Sequence, residues 1–323
     1  MDLAGLHEVL DMYNGIINIY KEKGYTSFDV VAKLRGIFHQ KKIGHTGTLD
    51  PDAEGVLPVC LGNATKVCDL LMDQDKEYET VLLLGKETDT QDISGTVLSE
   101  APVIVDETQV REAIMGFVGS YAQVPPMYSA RKVNGKKLYE LARAGVTVER
   151  KAKEVQIYEI TILSIELPRV RMRIRCSKGT YIRTLCHDIG QKLGCGGCME
   201  ELLRTRVGDF RLEDALRIGQ VEELIRNAGD LTDDGKPKKI NVTKILRNVD
   251  SLFGRYPALI ADVNLEKAVV NGNKIPLELI ASEQQLQLSD GDRVRLYLQQ
   301  QFIGIYSYQA NTQELKPVKL FFG

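Results

Sequence analysis

The stretch Gly44-His45-Thr46-Gly47-Thr48-Leu49-Asp50-Pro51-Asp52-Ala53-Glu54-Gly55-Val56-Leu57-Pro58 sets three carboxylates among three glycines and two prolines. Glycine and proline fix an irregular backbone, which is how a loop presents a reactive group on a rigid scaffold. Three readings of Asp50 follow from residue types alone. It forms a turn, it is a catalytic carboxylate, or it ligates a metal. If Asp50, Asp52 and Glu54 divide acid and base roles, a paired-carboxylate hydrolase of sugars is one outcome.

A second feature lies far along the chain. Val170-Arg171-Met172-Arg173-Ile174-Arg175-Cys176 alternates strictly, predicting a strand with one apolar face and one row of guanidiniums that Arg169 continues. After a turn at Ser177–Thr180, Ile182, Leu185, Cys186, Ile189 and Leu193 recur at helical spacing, so Arg183 falls in a first helical turn. A cation there opposes the helix dipole. An anionic partner, carboxylate or phosphate, is therefore implied.

The elements that must position these groups are partly legible. Thr26-Ser27-Phe28-Asp29 reads as a capping box, with Val30, Val31, Leu34, Ile37 and Phe38 at helical spacing behind it. Glu77–Gly85 reads as a buried strand leading into a polar loop over Lys86–Gly95. Asp106 opens a helix through Val110, Ile114, Phe117 and Val118 that stops near Gly119. Asn227–Lys239 reads as a long surface loop. The composition changes again near Ser251, and Val294, Leu296, Leu298, Phe302–Tyr308 and Lys316–Lys319 suggest a compact β-rich module.

The 323 residues, 43% hydrophobic, suffice for one large domain and a small one. The net charge of −2 conceals an asymmetry, because residues 121–183 hold fourteen Lys or Arg against five Glu, a local +9. Phosphate binding depends on local positive charge, so this segment is a candidate phosphate contact, with a solvated charged face as the lesser alternative. Six cysteines are too few for a disulfide framework. Only Cys195-Gly-Gly-Cys198 has ligand-like spacing, and no second pair completes a tetrahedral site. No apolar run approaches the roughly 20 residues that span a bilayer, and no basic-then-apolar leader is visible, so a cytoplasmic location with reduced thiols is expected.

Gly44–Pro58 resembles the GHxGxLDPxAxGxLP signature of the TruB family of tRNA pseudouridine synthases. The likeness continues through Lys76-Glu77-Tyr78, Thr88–Asp92, Val124–Ala130, Gly135–Glu140 and Ser177–Arg183, covering roughly residues 14–220. It implies an α+β catalytic domain over 1–250, built on a mixed, largely antiparallel sheet, and a PUA-like RNA-binding domain over 251–323. By the same resemblance Asp50 is the nucleophile, Tyr78 a stacking residue and proton acceptor, and Arg183 the partner of Asp50. His45 fills the space left by a flipped uridine, Tyr181 and Leu202 contact the substrate pocket, and Asp92 helps fix the arginine. Arg131, Lys132, Lys136, Lys137 and Arg143, with Arg150, Lys151 and Lys153, would form a basic arm over about 123–153 gripping the RNA backbone, with a turn at Asn134-Gly135.

The implied substrate is uridine 55 in the T loop of tRNA, flipped out of its stack. Neither cofactor nor metal is implied, no protein partner is required, and a monomer is expected. Because the matched motifs precede Asn227, the pocket is expected to be complete without the C-terminal module. Two departures stand out. Glu22 replaces the proline usual after Lys21, and Leu203 stands where an arginine is common before Arg204. A non-enzymatic tRNA-binding folding factor is the competing reading, since the basic arm serves it equally.

Overall fold

The computed structural model describes residues 13–129, 131–133, 135–227, 245–281 and 287–321. Strands β1 (Gly15–Lys21), β2 (Ile43–His45), β3 (Glu54–Leu61), β4 (Lys76–Leu84), β5 (Lys86–Thr88), β6 (Val97–Glu100) and β7 (Gly119–Gln123) form the first part of the chain. They are followed by β8 (Lys132–Val133), β9 (Lys136–Lys137), β10 (Lys153–Glu166), β11 (Arg169–Cys176), β12 (Gly197–Val207) and β13 (Phe210–Arg211). Seven strands run in the order β1-β3-β12-β4-β11-β10-β7, with β2 on β3 and β13 on β12. Every pairing is antiparallel except β3 with β12, so the sheet is mixed and largely antiparallel, as expected.

The capping box forms as read: Thr26 and Asp29 satisfy each other's backbone N–H groups at the start of the helix Ser27–Ile37. That helix buries Val30, Val31 and Leu34 against Ile17, Ile19, Leu57 and Val59 of β1 and β3. Asp106 likewise caps a helix, Glu107–Met115. It ends at Gly116, earlier than the Gly119 expected, and Phe117 and Val118 continue only as turn bonds to Ile114 and Met115. The polar loop after β4 is also more ordered than expected, since β5 pairs with β6 as a small hairpin.

On one face of the central sheet, Tyr78, Leu82 and Leu84 of β4 and Val170, Met172, Ile174 and Cys176 of β11 pack beneath the helices Glu107–Met115 and Ile182–Leu193. The second helix lies unusually close to β12. A Cβ on Gly190 would sit 2.2 Å from the Gly197 nitrogen, so only glycine permits the approach. On the opposite face the arginine row of β11 is answered by acids outside the +9 segment. Arg169 forks onto Glu200 (2.7 and 2.8 Å), Arg173 meets Glu79 (2.6 Å) and Arg171 meets Glu201 (3.4 Å). These cross-strand pairs remove three guanidiniums from the charge open to a polyanion. The net +9 therefore overstates the RNA-binding potential of the segment.

The 227–239 loop lies outside the described residues, apart from Asn227 closing the helix Ile218–Asn227. Beyond it come β14 (Ala258–Ala261), β15 (Ile275–Pro276), β16 (Ile280–Ala281), β17 (Arg293–Leu298), β18 (Gln301–Gln309) and β19 (Glu314–Leu320), ordered β15-β19-β18-β17-β14-β16. Val294, Leu296, Ile303, Tyr306 and Leu315 make its own core. This sheet also shares a core with the first, because Ile305 and Phe321 join Ile16, Val56, Cys60, Val207 and Phe210. The two parts are therefore coupled through apolar packing. Removing residues after 250 would strip apolar cover from β3 and β12, at about 1.5–3 kcal/mol for each large side chain lost.

Candidate active site

Asp50 begins a turn in which the Ala53 N–H donates to its carbonyl (3.1 Å). Two buried side chains hold that turn. The Ser27 hydroxyl oxygen accepts from the Leu49 N–H at 2.9 Å, and the Lys21 ammonium donates to the carbonyls of Ala53 (2.6 Å), Pro51 (3.0 Å) and Glu22 (3.1 Å). Burial pushes Lys21 down to about 8, opposed by Glu54, Asp50 and Asp52. Glu22, in place of proline, turns to Arg217 (2.6 Å) and leaves the lysine undisturbed.

Arg183 reaches Asp50 from the first turn of the helix Ile182–Leu193, with NH2 at 3.0 Å from Oδ2 and 3.3 Å from Oδ1. Its NH1 lies 3.6 Å from Asp92 Oδ2. The anion demanded by a cation at a helix N-terminus is thus a carboxylate pair. Asp92 is itself fixed, accepting from Thr90 Oγ1 (2.8 Å), Ser94 N (3.0 Å) and Ser94 Oγ (2.5 Å). Its loop is pinned to β12 through Met199, and by the Thr184 hydroxyl donating to Gln91 (2.7 Å). Arg183 is only 7% exposed, whereas the Asp50 side chain keeps 41% of its surface open. The protein packed round Asp50 raises its carboxyl above the ordinary value, Arg183 works against that rise, and Asp92 adds to it.

Tyr78 is buried beside this pair on β4, directly across from Arg204 of β12, whose guanidinium donates to the carbonyls of Val56 (2.6 Å) and Gly47 (3.2 Å). Leu202 is half-buried against the same cluster as Leu49, Ala53 and Tyr78. Register shifts between Met199 and Glu201 and between Arg204 and Arg206 bracket this part of β12, which is how a bulged strand re-aims side chains. His45, half-buried on β2, lies near Arg204; burial and that charge hold its imidazole below the usual value, so it is neutral at pH 7. Tyr181 precedes the Arg183 helix, and its backbone N–H and C=O are both bonded to the Gln123 amide (2.8 and 2.9 Å).

Asp52 is exposed and Glu54 accepts from Tyr20 (3.1 Å), so neither is drawn into the Asp50–Arg183–Asp92 network. Among the described residues no group of three or more His, Cys, Asp or Glu could hold a metal. Cys195 and Cys198 are buried free thiols.

The basic arm stands on a separate hairpin, β8 with β9, which turns at Gly135 (φ 81°); Ala130 and Asn134 lie outside the described residues. Arg131, Lys136, Arg143, Lys151 and Lys153 are exposed, Lys132 lies on β8, and Lys137 and Arg143 flank the Tyr139 ring at 5.4 and 5.6 Å. Arg150 instead braces the base of the arm, donating to the Pro125 carbonyl (3.1 Å). The arm touches the Asp92 loop where Tyr128 donates to Asp89 (3.3 Å). If this hairpin grips RNA, log affinity for tRNA falls with log salt by roughly 0.7–0.9 per phosphate contacted. Neutralising Lys136, Lys137 and Arg143 together is expected to reduce that slope by about 2–3 in a salt titration of binding. An unchanged slope would place the RNA elsewhere.

Two adjoining family descriptions match the chain: "TruB family pseudouridylate synthase (N terminal domain)" over residues 35–182 and "tRNA pseudouridylate synthase B C-terminal domain" over residues 183–253. A protein of Lachnoclostridium phytofermentans named tRNA pseudouridine synthase B is 50% identical, across 95% of this chain and 99% of its own. The chain belongs to the TruB family. A TruB relative named likewise in Ralstonia pickettii is 43% identical, over 88% of this chain and 84% of its own. Among solved structures, one of a Cbf5-Nop10-Gar1 complex aligns with a TM-score of 0.66 at 27% identity, covering 95% of this chain and 85% of that one. An H/ACA RNP bound to a substrate RNA containing 2'-deoxyuridine aligns at 0.67 and 24% identity, over 98% and 87%, a likeness of fold.

Sequence reasoning missed four residues that build this TruB site: Ser27, Gln123, Gln91 and Arg204 as a buried group. Gln123 stands next to a matched motif and Arg204 next to a noted departure. Nothing local announces their contacts, because the partners lie 22 to 157 residues away.

Proposed function

We propose that this chain, an RNA isomerase of the TruB family, converts uridine 55 in the T loop of tRNA to pseudouridine with Asp50 as nucleophile. The observation that carries the reading is the 3.0 Å contact between the buried Arg183 and a carboxylate whose side chain remains 41% exposed. Isomerisation breaks the N1–C1′ bond, turns the uracil and rejoins it through C5. No atom is consumed, so the work is to split one exchange into two easier steps, and an oriented carboxylate does this. Arg183 keeps Asp50 ionised and aimed through charge-assisted bonds, and Asp92 fixes the arginine.

A stacked uridine must leave its loop to reach Asp50, and its lost stacking is replaced by Tyr78, Tyr181 and Leu202, with neutral His45 filling the vacated space. Tyr78 takes the proton that C5 loses. Arg131, Lys132, Lys136, Lys137 and Arg143 hold the T-arm backbone. We assign residues 1–250 to catalysis and 251–323 to a PUA-like module adding remote RNA contacts, the two sharing a core. The chain acts in the cytoplasm as a monomer without a protein partner, since arm, pocket and module lie in one polypeptide. In the described residues no helix is long and apolar enough to cross a membrane. A non-enzymatic folding factor would have no use for an ionised carboxylate held open beside a buried arginine. The test is whether unmodified tRNA acquires pseudouridine at position 55 when incubated with this chain alone.

A further inference from the structure

Tyr181, assigned above to stacking on the flipped uridine, is the N-cap of the helix Ile182–Leu193, where a tyrosine side chain makes no capping bond. The residue before it gives no help, because the Thr180 hydroxyl turns back to the Ser177 carbonyl (2.9 Å). The Tyr181 peptide is held instead from another strand, by the side chain of Gln123, which is 1% exposed. The amide oxygen of Gln123 accepts from the Tyr181 N–H (2.8 Å), and its nitrogen donates to the Tyr181 carbonyl (2.9 Å). That carbonyl also receives the Leu185 N–H (3.1 Å), the first bond of the helix. Both ends of a buried amide are thus used on one residue 58 positions away, and a side chain of the same size without them would leave the Tyr181 groups unpaired.

The clasp also stands where the basic arm is rooted. Gln123 is the last residue of β7, and it pairs with Lys153, the first residue of β10, so the arm leaves and returns at this point. Both roots grip the turn that leads into Tyr181. From β10, Gln156 accepts the Ser177 N–H (2.9 Å) and donates its own N–H to the Ser177 hydroxyl (2.9 Å). A Cβ on Gly179 would lie 3.1 Å from the Lys153 ammonium. From β7, Tyr121, two residues before Gln123 and on the same face of the strand, donates to Asp188 further along the helix. Of these contacts only that of Gln123 falls on Tyr181 itself.

We propose that Gln123 is a positioning residue for the target uridine: by holding both polar groups of the Tyr181 peptide it fixes that residue's backbone angles, and with them the rotamer of the ring on which the flipped base stacks. This rests on the isomerase reading above. Side-chain rotamers follow φ and ψ, and Tyr181 is held at −100° and 108°, between a left-handed Gly179 (φ 77°) and the first helical turn. A ring free to change rotamer would receive the uracil in several poses, and only one of them brings the nucleoside to Asp50. Misplacement of that kind is felt in the chemical step. It is not felt in tRNA affinity, which is dominated by phosphate contacts away from the ring.

The experiment is single turnover at saturating tRNA, with tRNA affinity measured alongside, for wild type, Gln123→Met, Gln123→Glu, Tyr181→Leu and the doubles. Tyr181→Leu keeps the N–H and C=O that Gln123 clasps and removes only the ring. Gln123→Met should be slowed about 10–10²-fold with tRNA affinity within about threefold. Gln123→Glu, which keeps the size and the acceptor and threatens the fold least, can donate to the Tyr181 carbonyl only as the neutral acid. Its rate relative to wild type should therefore fall as pH rises. In the Tyr181→Leu background either Gln123 change should add less than about threefold, because the ring it aims is gone. Penalties that multiply in the doubles, a Gln123→Met loss confined to affinity, or a Gln123→Glu ratio constant with pH would overturn the proposal and leave Gln123 as a fastening of the helix. Absence of turnover in wild type would instead overturn the isomerase reading on which it rests.

Discussion

Asp50→Asn is expected to abolish isomerisation, lowering the single-turnover rate at least about 10⁴-fold, while tRNA affinity and thermal stability stay close to wild type. The amide keeps the shape of the carboxylate and can still accept one hydrogen bond from Arg183, but it has no charge with which to attack. The turn itself does not depend on the Asp50 side chain. Ser27 holds Leu49, Lys21 holds Pro51 and Ala53, and the Asp50 main-chain carbonyl receives the Ala53 N–H. Loss of rate with retained binding isolates the chemical role from the architectural one. Turnover within tenfold of wild type would remove Asp50 as nucleophile.

Arg183→Lys is expected to lower the rate about 10²–10³-fold with little change in binding, since one ammonium cannot address both oxygens of Asp50 and also reach Asp92. Its companion Arg183→Gln gives a sign that can be worked out. The nucleophile must be ionised, so the rate falls as pH drops through the Asp50 value. Burial already raises that value above the ordinary carboxylate range, and Arg183 is the main influence lowering it. Removing the guanidinium therefore moves the acid limb of the pH–rate profile to higher pH. A limb that stays in place would show that Arg183 orients Asp50 without keeping it charged.

The parts of the site that were legible in sequence are those carried by local grammar. The Thr26–Asp29 capping box, the alternation of β11 and the cation in the first turn at Arg183 each announce a requirement, and the last implies an anion, carboxylate or phosphate, which the fold supplies as Asp50, 133 residues away. Resemblance supplied the partner's identity. The guanidinium row of β11 misled because charge counted along a chain does not see acids contributed by neighbouring strands. Gly116 ends its helix ahead of two apolar residues that continue the periodicity, so the pattern overran the true boundary. The shared core between the two sheets was invisible for a similar reason. Ile305 and Phe321 read as residues of their own module, and only the fold sets them against Val56 and Phe210.

The most direct test of the account is incubation of full-length unmodified tRNA with the purified chain and no other protein, followed by chemical mapping of pseudouridine along the whole RNA. The expected result is one new pseudouridine, at position 55, absent when the chain carries Asp50→Asn. No pseudouridine, or modification confined to other positions, would contradict it.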